Sequence, residues 1–395
     1  MSLIRTLLRI AWFTPGPKHR WGLPLLFEGH PGTGKTANVE QEAMLCSLDA
    51  EVLISSIREP SDFGGLQVPE KKDGDRTKLT LLAPPWAERL AASKHGLIFA
   101  DELNTSPPAV QAAFLRIVTD AVVGDLKLPD TVRICAAQNS VEEAASGWDL
   151  AMPLANRFGH IKWGTPSTSE WSDWLLTSGN GTSPDGKVIN PEKEEERVME
   201  AWSGPWAAAR GLISGFVRAR PELLLKMPPA GSPEASCAWP SPRTWEYAAR
   251  ALASCEVHGV DATVADELLG AFVGVGAAAE FMGWRAKQDL PEPGDVLDGK
   301  VKFKHDPMRL DRTAAVLSSC AALMVAEKDK MKPDAKKGRM VIFWTLTDEV
   351  SKEAADVAVP AGRVMARAGL AVGKEAQPAL VRLQPILNNA GIKAS

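Results

Sequence analysis

Five short apolar runs punctuate the first 165 residues, near 23–28, 51–56, 97–100, 131–137 and 160–163, with helix-like stretches between them. Leu23-Pro24-Leu25-Leu26-Phe27 and Gly96-Leu97-Ile98-Phe99-Ala100 lack polar alternation, as strands covered on both faces of a parallel sheet do. Strands alternating with helices predict an α/β core over residues 1–165. Its first crossover helix is expected at about Thr36 to Ser47, with Val39, Ala43 and Met44 facing inward. Two hairpins interrupt the pattern. One covers Phe63 to Leu82 around a polar turn at Lys72-Asp73-Gly74-Asp75, and the other covers Ala121 to Pro129 around Gly124-Asp125. Met1 to Phe13 is apolar but interrupted by Arg5 and Arg9, which predicts a surface helix rather than a signal peptide.

Beyond residue 165 the pattern changes. Residues 166–192 are rich in Ser, Thr, Gly, Asn and Pro and read as a linker or long loop. Residues 193–290 are mostly helical in pattern, so 166–290 is expected to form a linker and helical lid. Trp245, Ala248, Ala249 and Leu252 recur at i, i+3, i+4 and i+7, the spacing of one buried helical face. Pro291-Glu292-Pro293-Gly294 marks a boundary, and 291–395 is expected as a helical extension, with helices at Ala314 to Ala326 and Asp348 to Ala358. Lys328 to Arg339, with six basic and two acidic residues, reads as an exposed loop.

Composition narrows the class without naming a function. The 395 residues are 45% hydrophobic and 24% charged, with a net charge of −4, which fits a globular chain and excludes a dedicated basic nucleic-acid domain. The five cysteines are scattered and form no C-x-x-C, so neither a disulfide framework nor a zinc site is expected, and a reducing, cytoplasmic setting fits. No run approaches the roughly 18 apolar residues that span a bilayer. The six histidines show no ligand spacing, and no Ser-His-Asp set or G-x-S-x-G elbow is present.

The candidate chemistry begins where the first apolar run ends. Gly29-His30-Pro31-Gly32-Thr33-Gly34-Lys35-Thr36 is a complete G-x-x-x-x-G-K-T between a strand and a helix. Glycines let successive backbone N–H groups turn toward phosphate oxygens, and the helix points its positive end the same way. Lys35 would reach the outer phosphates and Thr36 would hold Mg²⁺. Asp101 and Glu102 close another buried strand. The first suits a metal-bound water shell, and the second suits a base for the attacking water. Asn139 follows the 131–137 strand and could position that water or sense the outer phosphate. Arg157 precedes the last strand. Pro242 suits the first turn of a helix and places Arg243 there.

In this order the residues resemble the AAA+ ATPases, and within them the MoxR branch. Residues 29–36 match Walker A, 97–102 Walker B, Asn139 sensor 1 and Arg157 the arginine finger. Asp101-Glu102-Leu103-Asn104-Thr105-Ser106-Pro107-Pro108-Ala109-Val110-Gln111 resembles the branch signature D-E-I-N-R-x-P-P-x-x-Q, with Thr105 in place of Arg. Ser241-Pro242-Arg243 resembles its sensor 2. The resemblance covers about residues 20–255. It implies an AAA+ core with a parallel sheet flanked by helices, followed by a helical lid and a mainly helical C-terminal extension. It also implies a homo-oligomeric, hexameric ring that hydrolyses ATP with Mg²⁺ between subunits. Lys35, Thr36, Asp101, Glu102, Asn139 and Arg243 would come from one subunit and Arg157 from the next. The work done would be remodelling of a partner protein, in this branch often one with a von Willebrand factor A domain. A nucleotide-gated scaffold with little turnover and a motor on nucleic acid are the alternatives. No N-K-x-D guanine reader is present, which leaves adenine or a promiscuous base site open.

Overall fold

The computed structural model describes residues 2–71, 77–139, 148–177, 188–287, 289–371, 374 and 376–389. Helix α1 (Ser2–Trp12) leads to β1 (Leu25–Glu28), α2 (Lys35–Leu45), β2 (Asp49–Ile54), α3 (Pro60–Gly64), β3 (Leu66–Lys71) and β4 (Thr77–Leu82). Then come α4 (Pro85–Ala92), β5 (Gly96–Asp101), α5 (Pro108–Asp120), β6 (Val122–Val123), β7 (Leu126–Lys127) and β8 (Val132–Gln138). Next are α6 (Met152–Ala155), β9 (Gly159–Lys162), α7 (Thr168–Thr177), α8 (Pro191–Ala201), α9 (Ser203–Ala219), α10 (Pro242–His258) and α11 (Ala262–Val273). The chain continues through α12 (Val275–Arg285), α13 (Pro293–Leu297), α14 (Leu310–Glu327), α15 (Pro333–Glu353), α16 (Ala355–Arg367) and α17 (Gln377–Asn389).

Five strands form one parallel sheet in the order β2-β5-β8-β1-β9. Each expected strand is present within two residues of its predicted start. The reason is burial: β5 and β8 are covered along nearly their whole length, so their apolar runs are unbroken. Arg133 is the exception inside β8. Its guanidinium is fully buried, donating to the Thr131 carbonyl at 2.6 Å and to Trp12 O at 3.2 Å, and it is ion-paired with Glu195. Both expected hairpins exist, as β3–β4 and as β6–β7. The turn at Lys72 to Asp75 lies outside the described residues. Helix α1 buries Leu7, Leu8, Ile10, Ala11 and Trp12, while Arg5 donates to Gln41 at 2.9 Å and Arg9 pairs with Glu42. No helix among the described residues is long and apolar enough to cross a membrane.

The chain forms two compact units, residues 1–198 with 226–277, and residues 199–225 with 278–395. This division differs from the three consecutive segments the sequence suggests. In the first unit, α11 lies against β9, where a Cβ on Gly159 would sit 2.8 Å from the Phe272 ring. Helix α11 therefore shares the core of the sheet. In the second unit, α9 lies so close to α14 that a Cβ on Gly211 would fall 1.7 Å from the Ser319 hydroxyl. Its core gathers Leu317, Met324, Phe343, Trp344, Val350 and Met365.

Several local expectations need correction. Val39 and Ala43 are buried in α2, but Met44 is 59% exposed, because the buried stripe passes through Leu45 instead. Residues 166–192 include a helix, α7. Residues 348–358 are not one helix, since Ala354 leaves the helical region (φ −141°, ψ 67°) between α15 and α16. The basic stretch 328–339 is largely the first turns of α15, and Arg339 is ion-paired with Asp298 and Glu327, both at 2.7 Å.

Candidate active site

The C-terminal ends of parallel strands form the ligand-binding edge of an open α/β sheet. Three of the expected groups meet at that edge. After β1 the chain turns through residues 29–36, with Gly32 at φ +75° and Gly34 at φ +84°, a left-handed backbone that glycine adopts without strain. Gly29 is glycine for a different reason: a Cβ there would lie 2.4 Å from the Trp163 carbonyl oxygen. Trp163 fixes the loop further by donating its indole N–H to Thr33 O at 3.2 Å.

Lys35 is the first residue of α2 and is nearly buried. Its ammonium donates to the carbonyls of Gly29 (2.6 Å) and His30 (2.9 Å) and to Asn139 Oδ1 at 3.3 Å. Thr36 donates its hydroxyl to Asp101 Oδ2 at 2.5 Å. The other oxygen of Asp101 accepts the Glu102 N–H at 2.9 Å. A hydroxyl and a carboxylate side by side are hard oxygen donors of the kind Mg²⁺ uses, so Thr36 and Asp101 fit that ion. Among the described residues there is no cluster of three or more His, Cys, Asp or Glu that could hold a metal by protein ligands alone.

Glu102 adopts a left-handed backbone (φ 55°, ψ 42°), which is uncommon for a residue with a Cβ. Ser56, just after β2, donates its hydroxyl to Glu102 Oε2 at 2.6 Å. Sequence reasoning missed Ser56, because a Ser after a strand carries no spacing signal. It also gave no role to Asn104 and Gln111 of the D-E-L-N-x-S-P-P-x-x-Q stretch. Asn104 is buried, donates to the backbone carbonyl of Asn139 (2.9 Å) and accepts the Asn139 N–H (3.3 Å). Gln111 donates to Ser106 O (3.2 Å) and accepts the Ala151 N–H (2.9 Å).

Arg157 and Arg243 are placed elsewhere. They line a cavity of about 330 Å³ together with Lys18, Arg20, Pro24 and Ile134. Pro24 directly precedes β1, and Ile134 is level with it in the neighbouring strand, one residue before Cys135, which pairs with Leu25. Both arginines therefore lie at the N-terminal ends of the strands, a strand length from the phosphate loop, or about 13 Å for four residues. Arg243 Nη1 donates to Asn156 Oδ1 at 3.2 Å, and Arg157 Nη1 donates to Pro153 O at 2.5 Å. Burial, then the nearby Arg243 charge, pull the Arg157 guanidinium below its usual value, and burial does the same to Arg20. Helix α10 presents Arg243 through a capped start, in which Ser241 accepts the Thr244 N–H.

The sheet order, the glycine-rich loop after β1 and the acidic pair ending β5 are consistent with an AAA+ core: a five-stranded parallel sheet flanked by helices, followed by a mainly helical C-terminal part. No protein-family model matches the chain. Over 170 residues it is 27% identical to midasin of Giardia intestinalis, a stretch that amounts to 40% of this chain and 3% of midasin. The chain thus corresponds to a small part of that protein. It also resembles the crystal structure of a protein from Cytophaga hutchinsonii provisionally classed as an ATPase, at 20% identity. That match covers 69% of this chain and 80% of the other, with a TM-score of 0.43.

Proposed function

We propose that the protein is a MoxR-type AAA+ ATPase whose hydrolytic sites are completed between copies of the chain. The observation that carries this reading is the hydrogen-bonded set Lys35–Asn139 and Thr36–Asp101–Glu102 at one edge of the sheet, with Arg157 and Arg243 at the other. Residues 29–34 would cradle the phosphates through backbone N–H groups, and the Lys35 ammonium would exchange its loop carbonyls for phosphate oxygens. Thr36 and Asp101 would hold Mg²⁺, which neutralises phosphate charge when bound. Glu102 would take the proton of the attacking water, and Asn139 would hold that water against the outer phosphate. Arg157, and with it Arg243, which the resemblance assigns to the loop of its own chain but which lines the same cavity as Arg157, would meet the phosphates of a neighbouring copy. A cation supplied this way speeds hydrolysis by about 10³–10⁵-fold in arginine-finger systems.

The resemblance of the Asp101–Gln111 and Ser241–Arg243 stretches to the MoxR branch supports a ring, of six copies in that branch, that remodels a client protein. A partner with a von Willebrand factor A domain is the natural candidate. One observation favours the scaffold reading as a resting state: the Ser56 hydroxyl occupies a carboxylate oxygen of Glu102.

The test is a pair of variants. Glu102→Gln is expected to bind ATP as the native protein does and to lose turnover by roughly 10²–10⁴-fold, the usual share of general base catalysis. Lys35→Ala is expected to lose binding. Native turnover in Glu102→Gln would overturn the assignment of the base.

A further inference from the structure

A cavity of about 430 Å³ opens beside the phosphate loop, within the size range of small-molecule sites. One wall is Gly32, Gly34, Ala37 and Asn38, the end of the loop and the first turn of α2. The facing wall is α7, which contributes Trp171 and Trp174. These two indoles are three residues apart, hence on one face of the helix. They are 51% and 46% exposed. Two large aromatic rings left half in solvent beside a polar loop are not core fillers.

We infer that this cavity holds the base and ribose of the nucleotide bound by the loop, and that Trp171 and Trp174 grip the base by stacking without reading its edge. The inference rests on the nucleotide-binding reading above and adds the means of base recognition. Continuity sets the occupant: Gly32 and Gly34 belong to both the cavity wall and the phosphate cradle, so a group filling the cavity is joined to the phosphates. Chemistry sets the mode. Every nucleobase has a π-face, and stacking on an aromatic side chain tolerates any base.

Discrimination between bases needs directed hydrogen-bond groups, and several of those in the residues lining the cavity are bonded within the protein. The Asn38 amide donates to Gly34 O at 2.7 Å, and the Thr33 hydroxyl donates to His30 O at 2.7 Å. Glu170 accepts from both the N–H and the hydroxyl of Ser167 at 2.9 Å. The remaining hydroxyls in the wall, Thr165 and Thr168, can each donate or accept and so suit the edges of adenine and guanine alike. Adenine and guanine nucleotides should therefore bind with similar strength.

The test measures binding of ATP, GTP and inorganic tripolyphosphate to the full chain with Mg²⁺ by calorimetry. Trp171→Ala and Trp174→Ala should each weaken ATP and GTP by roughly five- to a hundredfold, the range of base stacking on an aromatic side chain. Trp171→Phe should restore most of the loss. Tripolyphosphate should bind all variants equally, which also reports that the loop is folded. Native ATP affinity in the Trp171→Ala, Trp174→Ala double variant would overturn the inference and leave the ATPase reading intact. So would a strong preference of the native protein for one purine. A native protein that binds neither ATP nor tripolyphosphate would bring down both.

Discussion

The side chain of Asn104 holds the backbone of Asn139 at both its N–H and its carbonyl, across 35 residues of sequence. A buried side chain that satisfies two backbone groups at once fixes both the position and the orientation of the residue it holds. Here it sets the strand end from which Asn139 reaches Lys35. Asn104→Ala leaves a buried donor and acceptor without partners, at about 1–3 kcal/mol for such a group. We expect a lower denaturation midpoint and slower ATP turnover, with ATP affinity little changed. Denaturant titration and steady-state kinetics check this, and turnover equal to native would show that Asn139 needs no such support.

Ser56 restrains the proposed base. While its hydroxyl donates to Glu102, one carboxylate oxygen is occupied and turned away from a water. A hydrogen bond to a charged group contributes about 1.5–3 kcal/mol. Ser56→Ala should raise basal ATP turnover several-fold without changing the ATP concentration needed. A fall in turnover would mean instead that Ser56 orients Glu102 productively.

The placement of Arg157 and Arg243 predicts complementation. Lys35→Ala has a defective loop but intact arginines, whereas an Arg157→Ala, Arg243→Ala chain has the reverse. Each preparation alone should be nearly inactive. Mixed, they should recover measurable turnover, because some interfaces then join an intact loop to intact arginines. Mixtures as inactive as their parts would place both arginines in service of their own chain.

His160 makes folding sensitive to acid. Burial pushes its imidazole below the ordinary histidine value, outweighing the Ala155 carbonyl, 2.9 Å from Nε2, and the Glu28 carboxylate, which both raise it. Lys162 lowers it further. As pH falls below about 6.5, the unfolded chain takes up a proton that the folded chain resists, so stability decreases. Thermal unfolding should show this loss between about pH 6.5 and 5. His160→Gln should show a smaller loss over the same interval, and an unchanged pH profile would remove His160 as the cause.

The sheet was readable in the sequence because β1, β5 and β8 lie in its middle, where both faces are covered and polar residues are excluded. Motif order then placed Lys35, Thr36, Asp101, Glu102 and Asn139 at strand ends, and the structure brings them together. Composition hid α7. Ser, Thr and Gly around residues 166–192 suggest a loop, yet Ser167-Thr168-Ser169-Glu170 is an S-x-x-E start. Ser167 N donates to Glu170 Oε2 at 2.9 Å, and Glu170 N donates back to Ser167 Oγ at 3.3 Å. That reciprocal cap was a legible signal for the helix carrying Trp171 and Trp174. The location of Arg243 was not legible in the same way. Its helix start was clear, but a local pattern does not say which end of a distant sheet the helix meets.

The arginines and the phosphate loop occupy opposite ends of the same strands, which gives each copy a head and a tail. If the arginines serve a neighbour's loop as proposed, a pair related by a two-fold axis would set like against like and leave both sites short of their cations. Only head-to-tail contact matches unlike ends, and a row built that way always has one unsatisfied copy at each end until it closes. On that reading closure would be the one arrangement in which every site is complete, and the number of working sites would rise stepwise when the last copy joins.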